Sequence, residues 1–136
     1  MELADALDWR RANHRSVLAT RRRDGRPQMS PVVHAVSDDG RVLVSTRQGA
    51  MKVLNVRQDA NVSLCCLGDG FFGRWVQVDG RAEVVVLPEA MSWLRFTYAQ
   101  VAGEHPDWEE FERDMVSQQR VVLAITPERA GPDRAG

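Results

Sequence analysis

The feature that most constrains the fold of this chain is its punctuation. Strand-length runs alternate with turn signals: Asp24-Gly25 separates residues 16–20 from 26–36, and Ser37-Asp38-Asp39-Gly40 precedes residues 41–46. Such pairs supply the positive φ angles that tight hairpins need, so neighbouring runs are antiparallel partners. Residues 61–67, 74–87 and 120–126 supply three more strands, with a bulge expected at Asp79-Gly80. Pro27 and Pro31 place an edge or an irregularity in the second strand. Six strands, mostly in hairpin order, predict an antiparallel barrel, because closure removes the unpaired edges.

Helical spacing interrupts the strands at three places. Residues 2–13 carry Leu3, Leu7 and Arg10 or Arg11 in step, a short amphipathic helix ahead of the β-rich part. Residues 48–57 put Met51 and Leu54 on one face and Gln48, Lys52 and Asn55 along another. After Pro88, which suits a first helical turn, Met91, Leu94, Tyr98 and Val101 share a face up to Gly103; after Pro106, Trp108, Phe111 and Met115 form a similar stripe. These stripes exceed what closing a small barrel requires, which predicts a second copy of the chain against them. Residues 127–136, rich in Gly, Pro and charge, read as a loosely held tail, leaving a single domain over 1–126. A chain of 136 residues suits one such domain.

Composition narrows the function by exclusion. The 18 basic and 19 acidic side chains leave a net charge of -1, without the basic field of a nucleic-acid binder. No apolar run approaches the roughly 18 residues of a membrane helix, and residues 1–11 are acidic and amphipathic rather than a signal peptide, so the expectation is a cytoplasmic protein without nucleic-acid or membrane partners. Cys65 and Cys66 are adjacent in a strand and face opposite sides, as reduced thiols. His14, His34 and His105 lack metal-ligand spacing, and no metal is expected. Nucleophile elbow, zinc-protease helix, phosphate loop and dinucleotide fingerprint are all missing, which leaves a binding protein or an enzyme whose cofactor carries the difficult step.

The basic residues are 17 arginines and one lysine, Lys52. In an arginine-only background a surviving lysine points to a place where a compact ammonium suits better than a planar guanidinium. Ser45, Thr46 and Arg47 lead from a strand end into the helix bearing Lys52 and Asn55. Hydroxyls, free N–H groups and cations meet there, the makings of a phosphate corner; the plainer reading is a helix cap beside solvated charges. His34 is either a proton donor or a structural strand histidine, and His105 reads as structural in the turn between two helices.

Four segments in order carry a family resemblance: Gly25 to Pro31 (GRPQMSP), Ala50 to Arg57 (AMKVLNVR), Arg74 to Ala82 (RWVQVDGRA) and Ala102 to Trp108 (AGEHPDW). Together they resemble the split-barrel flavin and deazaflavin oxidoreductases, in particular the actinobacterial F420-binding group related to pyridoxamine 5'-phosphate oxidase. The resemblance implies a six-stranded split β-barrel, all-β with inserted helices, forming a homodimer with two cofactor sites at the interface. Lys52 would hold the cofactor phosphate beside Ser45 and Thr46, with Asn55 one turn later. Gln28, Met29 and Ser30 would run along the ring, and Trp75 would stand near the site. Where the family often has a second basic residue this chain has Ala50, so Arg47 or Arg57 would replace it. The aromatic-glycine ending is also lost after Thr126. The implied activity is hydride transfer from reduced coenzyme F420 to an unsaturated small molecule, with FMN as the alternative cofactor and a non-catalytic cofactor-binding protein as the other alternative. No residue is assigned as a catalytic acid. Arg21, Arg22 and Arg23 read as a solvated hairpin tip or as partners for the glutamate tail that F420 has and FMN lacks.

Overall fold

The computed structural model describes residues 1–132. The six expected strands are β1 (Arg15–Arg21), β2 (Pro27–Val36), β3 (Val42–Arg47), β4 (Asn61–Leu67), β5 (Trp75–Val85) and β6 (Arg120–Gly131). They close into one antiparallel barrel in the order β1-β2-β3-β6-β5-β4. The hairpin signals act as expected: Gly25 and Gly40 stand at φ 88 and φ 85, in the region that favours glycine. The bulge falls between Asp79 and Gly80, where a Cβ on Gly80 would collide with the backbone carbonyl of Thr126.

Four helices complete the fold: α1 (Leu3–Ala12), α2 (Met51–Gln58), α3 (Ala90–Ala102) and α4 (Trp108–Ser117). Leu7 from α1 and Val53 and Val56 from α2 join Leu18, Val42, Leu64 and Leu123 in the barrel core. These two helices therefore close the barrel at opposite ends, α1 near the start of β1 and α2 near Thr20. The core face of α2 differs from the expected one: Val53, Asn55 and Val56 are buried, whereas Met51 and Leu54 are 56% and 51% exposed. The helix also starts at Met51, because Gln48 N–H is engaged by Gln119 O and Ala50 N–H by Arg47 O.

Helices α3 and α4 lie on the outer face of β3, β5 and β6. Leu94 and Phe111 pack there with Leu43, Val85, Val122 and Ala124, and Met91, Tyr98, Trp108 and Met115 border them. His105 belongs to this structure, its ring 4.9 Å from Tyr98 and its Nδ1 accepting from Asp107 N–H at 2.9 Å. The apolar stripes expected to meet a second copy are thus consumed within one chain, apart from Val101 at its edge.

The outer face without a helix belongs to β2, β1, β4 and the first half of β5. Its rows follow from the register: Val33, Arg15, Leu67 and Trp75; then Pro31, Val17, Cys65 and Gln77. Cys65 and Cys66 are free thiols on opposite sides of β4, with Cys66 buried. The last strand runs five residues beyond the expected end at Thr126, because residues 127–131 pair with β5 and Arg129 is held by Asp79 at 2.8 Å. The remainder of the expected loose tail, residues 133–136, lies outside the described residues.

Candidate functional site

The corner selected from sequence lies where α2 closes the barrel. Strand alternation turns Leu18 and Thr20 inward, and Thr20 is the polar exception at the barrel mouth. Asn55, 4% exposed, donates from Nδ2 to Thr20 Oγ1 at 3.1 Å, and Thr20 Oγ1 donates to Gln28 Oε1 at 3.3 Å. One polar chain therefore ties α2, β1 and β2 together at the place where Asn55 and Gln28 were expected to meet. No motif in the sequence singles out Thr20, although a threonine at an inward position of an apolar strand is the signal that points to it.

Two groups at this end are under-satisfied. Ser30 Oγ is buried without a hydrogen-bond partner among the described residues, an arrangement that costs about 1–3 kcal/mol unless something supplies one. Lys52 is half-buried on the helix flank between Asn55 and Val56, and no carboxylate pairs with it among the described residues. Met29, between Gln28 and Ser30, faces out and is 63% exposed. The donor set fits a phosphate and a flat polar ring: a cation, two amides and an unpartnered hydroxyl on two elements, α2 and β2, that the core holds rigid.

Ser45 and Thr46 do not act as a pair. Thr46 is buried on the inner face with Val44, while Ser45 turns to the outer face with Leu43. Arg47 also lies on the outer side, directly opposite Arg120 of β6. Burial, and then the charge of Arg47, push the Arg120 guanidinium below its ordinary pKa. Arg120 was not anticipated, since only the β3–β6 pairing brings these two cations together. Trp75 is the residue most distant from the others. It sits in the row of Arg15 and Leu67. Thr20 lies five residues farther along β1, roughly 17 Å at strand rise. In one chain Trp75 and the Lys52 corner occupy opposite ends of the barrel.

Beside the corner runs an open groove of about 610 Å³ between the β1–β2 hairpin and α2. Arg22 and Arg23 line it from the hairpin, with Met51, Leu54, Asn55 and Arg57 from the helix. Among the described residues three guanidinium groups face it and no acidic side chain does, so the groove favours an extended anion. Met51 and Leu54, exposed at the surface, form its apolar floor.

His34 is excluded as a proton donor. It is fully buried, its Nδ1 2.9 Å from Ser16 Oγ and its Nε2 3.3 Å from the Arg10 carbonyl. Burial foremost, and then the Arg10 charge, lower its pKa to about 3. Arg10 is fully buried as well; it donates to Leu64 O and Val76 O at 2.8 and 2.9 Å and to Ser16 Oγ at 3.1 Å. This cluster binds α1 into the barrel and lies at the far end from Lys52.

A family model described as pyridoxamine 5'-phosphate oxidase matches residues 4–132. Among solved structures, a conserved hypothetical protein of Mycobacterium tuberculosis is 28% identical with a TM-score of 0.78, over 96% of this chain and 82% of that one. A protein described as an F420 reductase is 21% identical with a TM-score of 0.66, over 88% of this chain and 90% of that one. The heme storage protein of Vibrio cholerae is 17% identical with a TM-score of 0.69, over 96% and 94%. The last two likenesses are of fold.

Proposed function

The chain belongs to the pyridoxamine 5'-phosphate oxidase family, and from that premise we propose that it is a cytoplasmic reductase dependent on reduced coenzyme F420, acting on an unsaturated small molecule such as an enone or quinone. The observation that carries F420 over FMN is the acid-free groove lined by Arg22, Arg23 and Arg57. FMN ends at its phosphate, whereas F420 continues into a chain of carboxylates that such a groove would pair. The described F420 reductase among the structures of this fold supports the reading. Lys52 binds the phosphate; the Asn55, Thr20 and Gln28 chain fixes the wall beside it; Ser30 Oγ offers its open hydrogen bond to a polar ring atom. The bound deazaflavin supplies the hydride, and the protein supplies position and charge.

Fluorescence titration of the cofactor-free protein with F420 and FMN in parallel tests this. F420 is expected to bind more tightly. Lys52→Ala should weaken F420 by about 1.5–3 kcal/mol, roughly ten- to a hundredfold, as for a hydrogen bond to a charged group. Lys52→Arg should recover little of that loss if a compact ammonium is required. Replacing Arg22, Arg23 and Arg57 by Gln should weaken F420 and leave FMN unchanged. Tighter FMN binding, or a yellow protein on purification, overturns the cofactor. Tight F420 binding without turnover of any enone or quinone would make this a cofactor-holding protein.

The reading includes a homodimer, now resting on the helix-free face of β2, β1, β4 and β5 rather than on the helix stripes. Val17, Val33, Leu67 and Trp75 form an apolar area there outside the cluster that α3 and α4 cover, with Val101 of α3 at its edge. A second copy on this face would bring its Trp75 toward the first copy's cofactor. Sedimentation should give a dimer at micromolar concentration, and Val17→Glu should yield a folded monomer with weakened cofactor binding. A monomeric wild type, or a monomeric variant with full binding, refutes it.

A further inference from the structure

On the outer face of the barrel a second recess, of about 380 Å³, opens over strands β1, β4, β5 and β6. Its shape follows from the register. The outward row Ala19, Ser63, Asp79 and Arg129 crosses the four strands, and its two small members leave a dip between Arg21 and Gln77. Asp79 is fully engaged within the chain. Ser63 Oγ and Gln77 Nε2 donate to its Oδ1 at 2.7 and 2.9 Å, and Arg129 donates to its Oδ2 through Nη2 and Nε at 2.8 and 3.2 Å. Two charges of the lining are left without an ion pair among the described residues: Arg21 on the β1 side and Glu128 on the β6 side. The bulge puts Glu128 there. Gly80 pairs with Pro127 and Asp79 with Arg129, so Glu128 is the extra residue, outside the ladder and lining the recess.

We propose that this recess binds a short zwitterionic peptide, its carboxylate on Arg21 and its ammonium on Glu128. The volume falls within the ~300–1,000 Å³ of ordinary ligand pockets. Three strand spacings, about 14 Å, separate β1 from β6. Two or three extended residues span roughly 7–11 Å, which leaves room for the Arg21 and Glu128 side chains at the two ends. Between the ends the lining suits a peptide backbone. Gln77 Oε1 makes no hydrogen bond among the described residues and can accept from an N–H, while Arg129 spends only Nε and Nη2 on Asp79 and can donate to a carbonyl from Nη1. A simple anion would also face Asp79 and Glu128, and a simple cation Arg21 and Arg129, so the lining favours a ligand that carries both signs. Neither a bound cofactor nor a second copy takes part in this site.

The test is a titration of the cofactor-free, ¹⁵N-labelled protein, followed by its amide resonances. Triglycine is compared with N-acetyl-triglycine, which keeps only the carboxylate, and with triglycine amide, which keeps only the ammonium. Triglycine should move the resonances of Arg21, Ser63, Gln77 and Glu128. Each analogue should bind roughly tenfold more weakly, as for one lost hydrogen bond to a charged group. Arg21 and Glu128 are both exposed, so their variants should fold normally. Arg21→Gln should abolish the preference for triglycine over triglycine amide and keep the preference over N-acetyl-triglycine; Glu128→Gln should do the reverse. Absence of triglycine shifts at the recess, an analogue that binds as tightly as triglycine, or variants that leave both preferences unchanged overturns the proposal.

Discussion

Arg10→Ala is expected to lower the stability of the folded chain by about 3–5 kcal/mol, a large part of the ~5–15 kcal/mol available to a domain of this size. The Arg10 guanidinium is fully buried and has no carboxylate partner among the described residues. Its charge is carried instead by three acceptors: the carbonyls of Leu64 and Val76 and the hydroxyl of Ser16. Alanine removes all three bonds and opens a cavity between α1 and strands β4 and β5, and each of these losses destabilises. Arg10→Met is the sharper comparison. It fills most of the volume and removes the desolvation cost of the buried charge, so it should recover part of the loss without reaching wild type, because the carbonyls still lack their donor. Urea unfolding at pH 7 measures both variants. A loss below about 1 kcal/mol for alanine would mean that α1 is held by Leu7 and Trp9 packing and that the guanidinium is incidental.

That anchor shows which parts of the structure were legible in the sequence. Local signals survived: the glycine hairpins, the Asp79-Gly80 bulge and the helical stripes around Leu94 and Phe111 each depend on a residue and its near neighbours. Arg10 could be placed on the inward face of the first helix by spacing, but its burial depends on carbonyls 54 and 66 residues away. Strand β6 was cut short at Thr126 for a related reason. Residues 127–131 carry the composition of a tail, and it is the pairing with Gln77 to Gly80 that orders them. Composition reports propensity, and propensity yields to tertiary pairing.

The candidate site divides in the same way. Lys52, Asn55, Gln28 and Ser30 stand out by composition and resemblance, and the barrel gathers Asn55 and Gln28 through Thr20 while Lys52 and Ser30 Oγ find no side-chain partner among the described residues. Ser45 was placed beside Thr46 by adjacency, yet adjacent residues of a strand face opposite ways, and only Thr46 reaches the inner face. Trp75 lies at the other end of the barrel from Lys52. A site built from both needs the helix-free face to meet a second copy, a relation between chains that one sequence expresses only as exposed apolar residues.

His34 should make the protein acid-labile as pH falls below 6.5. In the fold its pKa falls from the ordinary 6.5 to about 3, chiefly through burial and next through the Arg10 charge. Between these values the unfolded chain binds a proton that the folded chain refuses, so stability rises with pH across the window. The contribution is fully present above pH 6.5 and is lost as pH falls toward 3, reaching on the order of 5 kcal/mol in total and roughly 3 kcal/mol by pH 4. Asp39 and Asp59 are held below the usual carboxylate range by hydrogen bonds, from Ser37 and from the Asn61 backbone first, so their loss begins only at lower pH. Urea unfolding repeated from pH 7 to pH 4 should therefore trace the histidine. His34→Gln, which keeps a donor and an acceptor for Ser16 and the Arg10 carbonyl but cannot take a proton, should flatten the curve from 6.5 to 4. In Arg10→Met the repulsion is gone, and the window should narrow as the His34 pKa moves back toward its ordinary value. A His34→Gln variant with the wild-type slope between pH 4 and 6.5 would place the acid lability elsewhere.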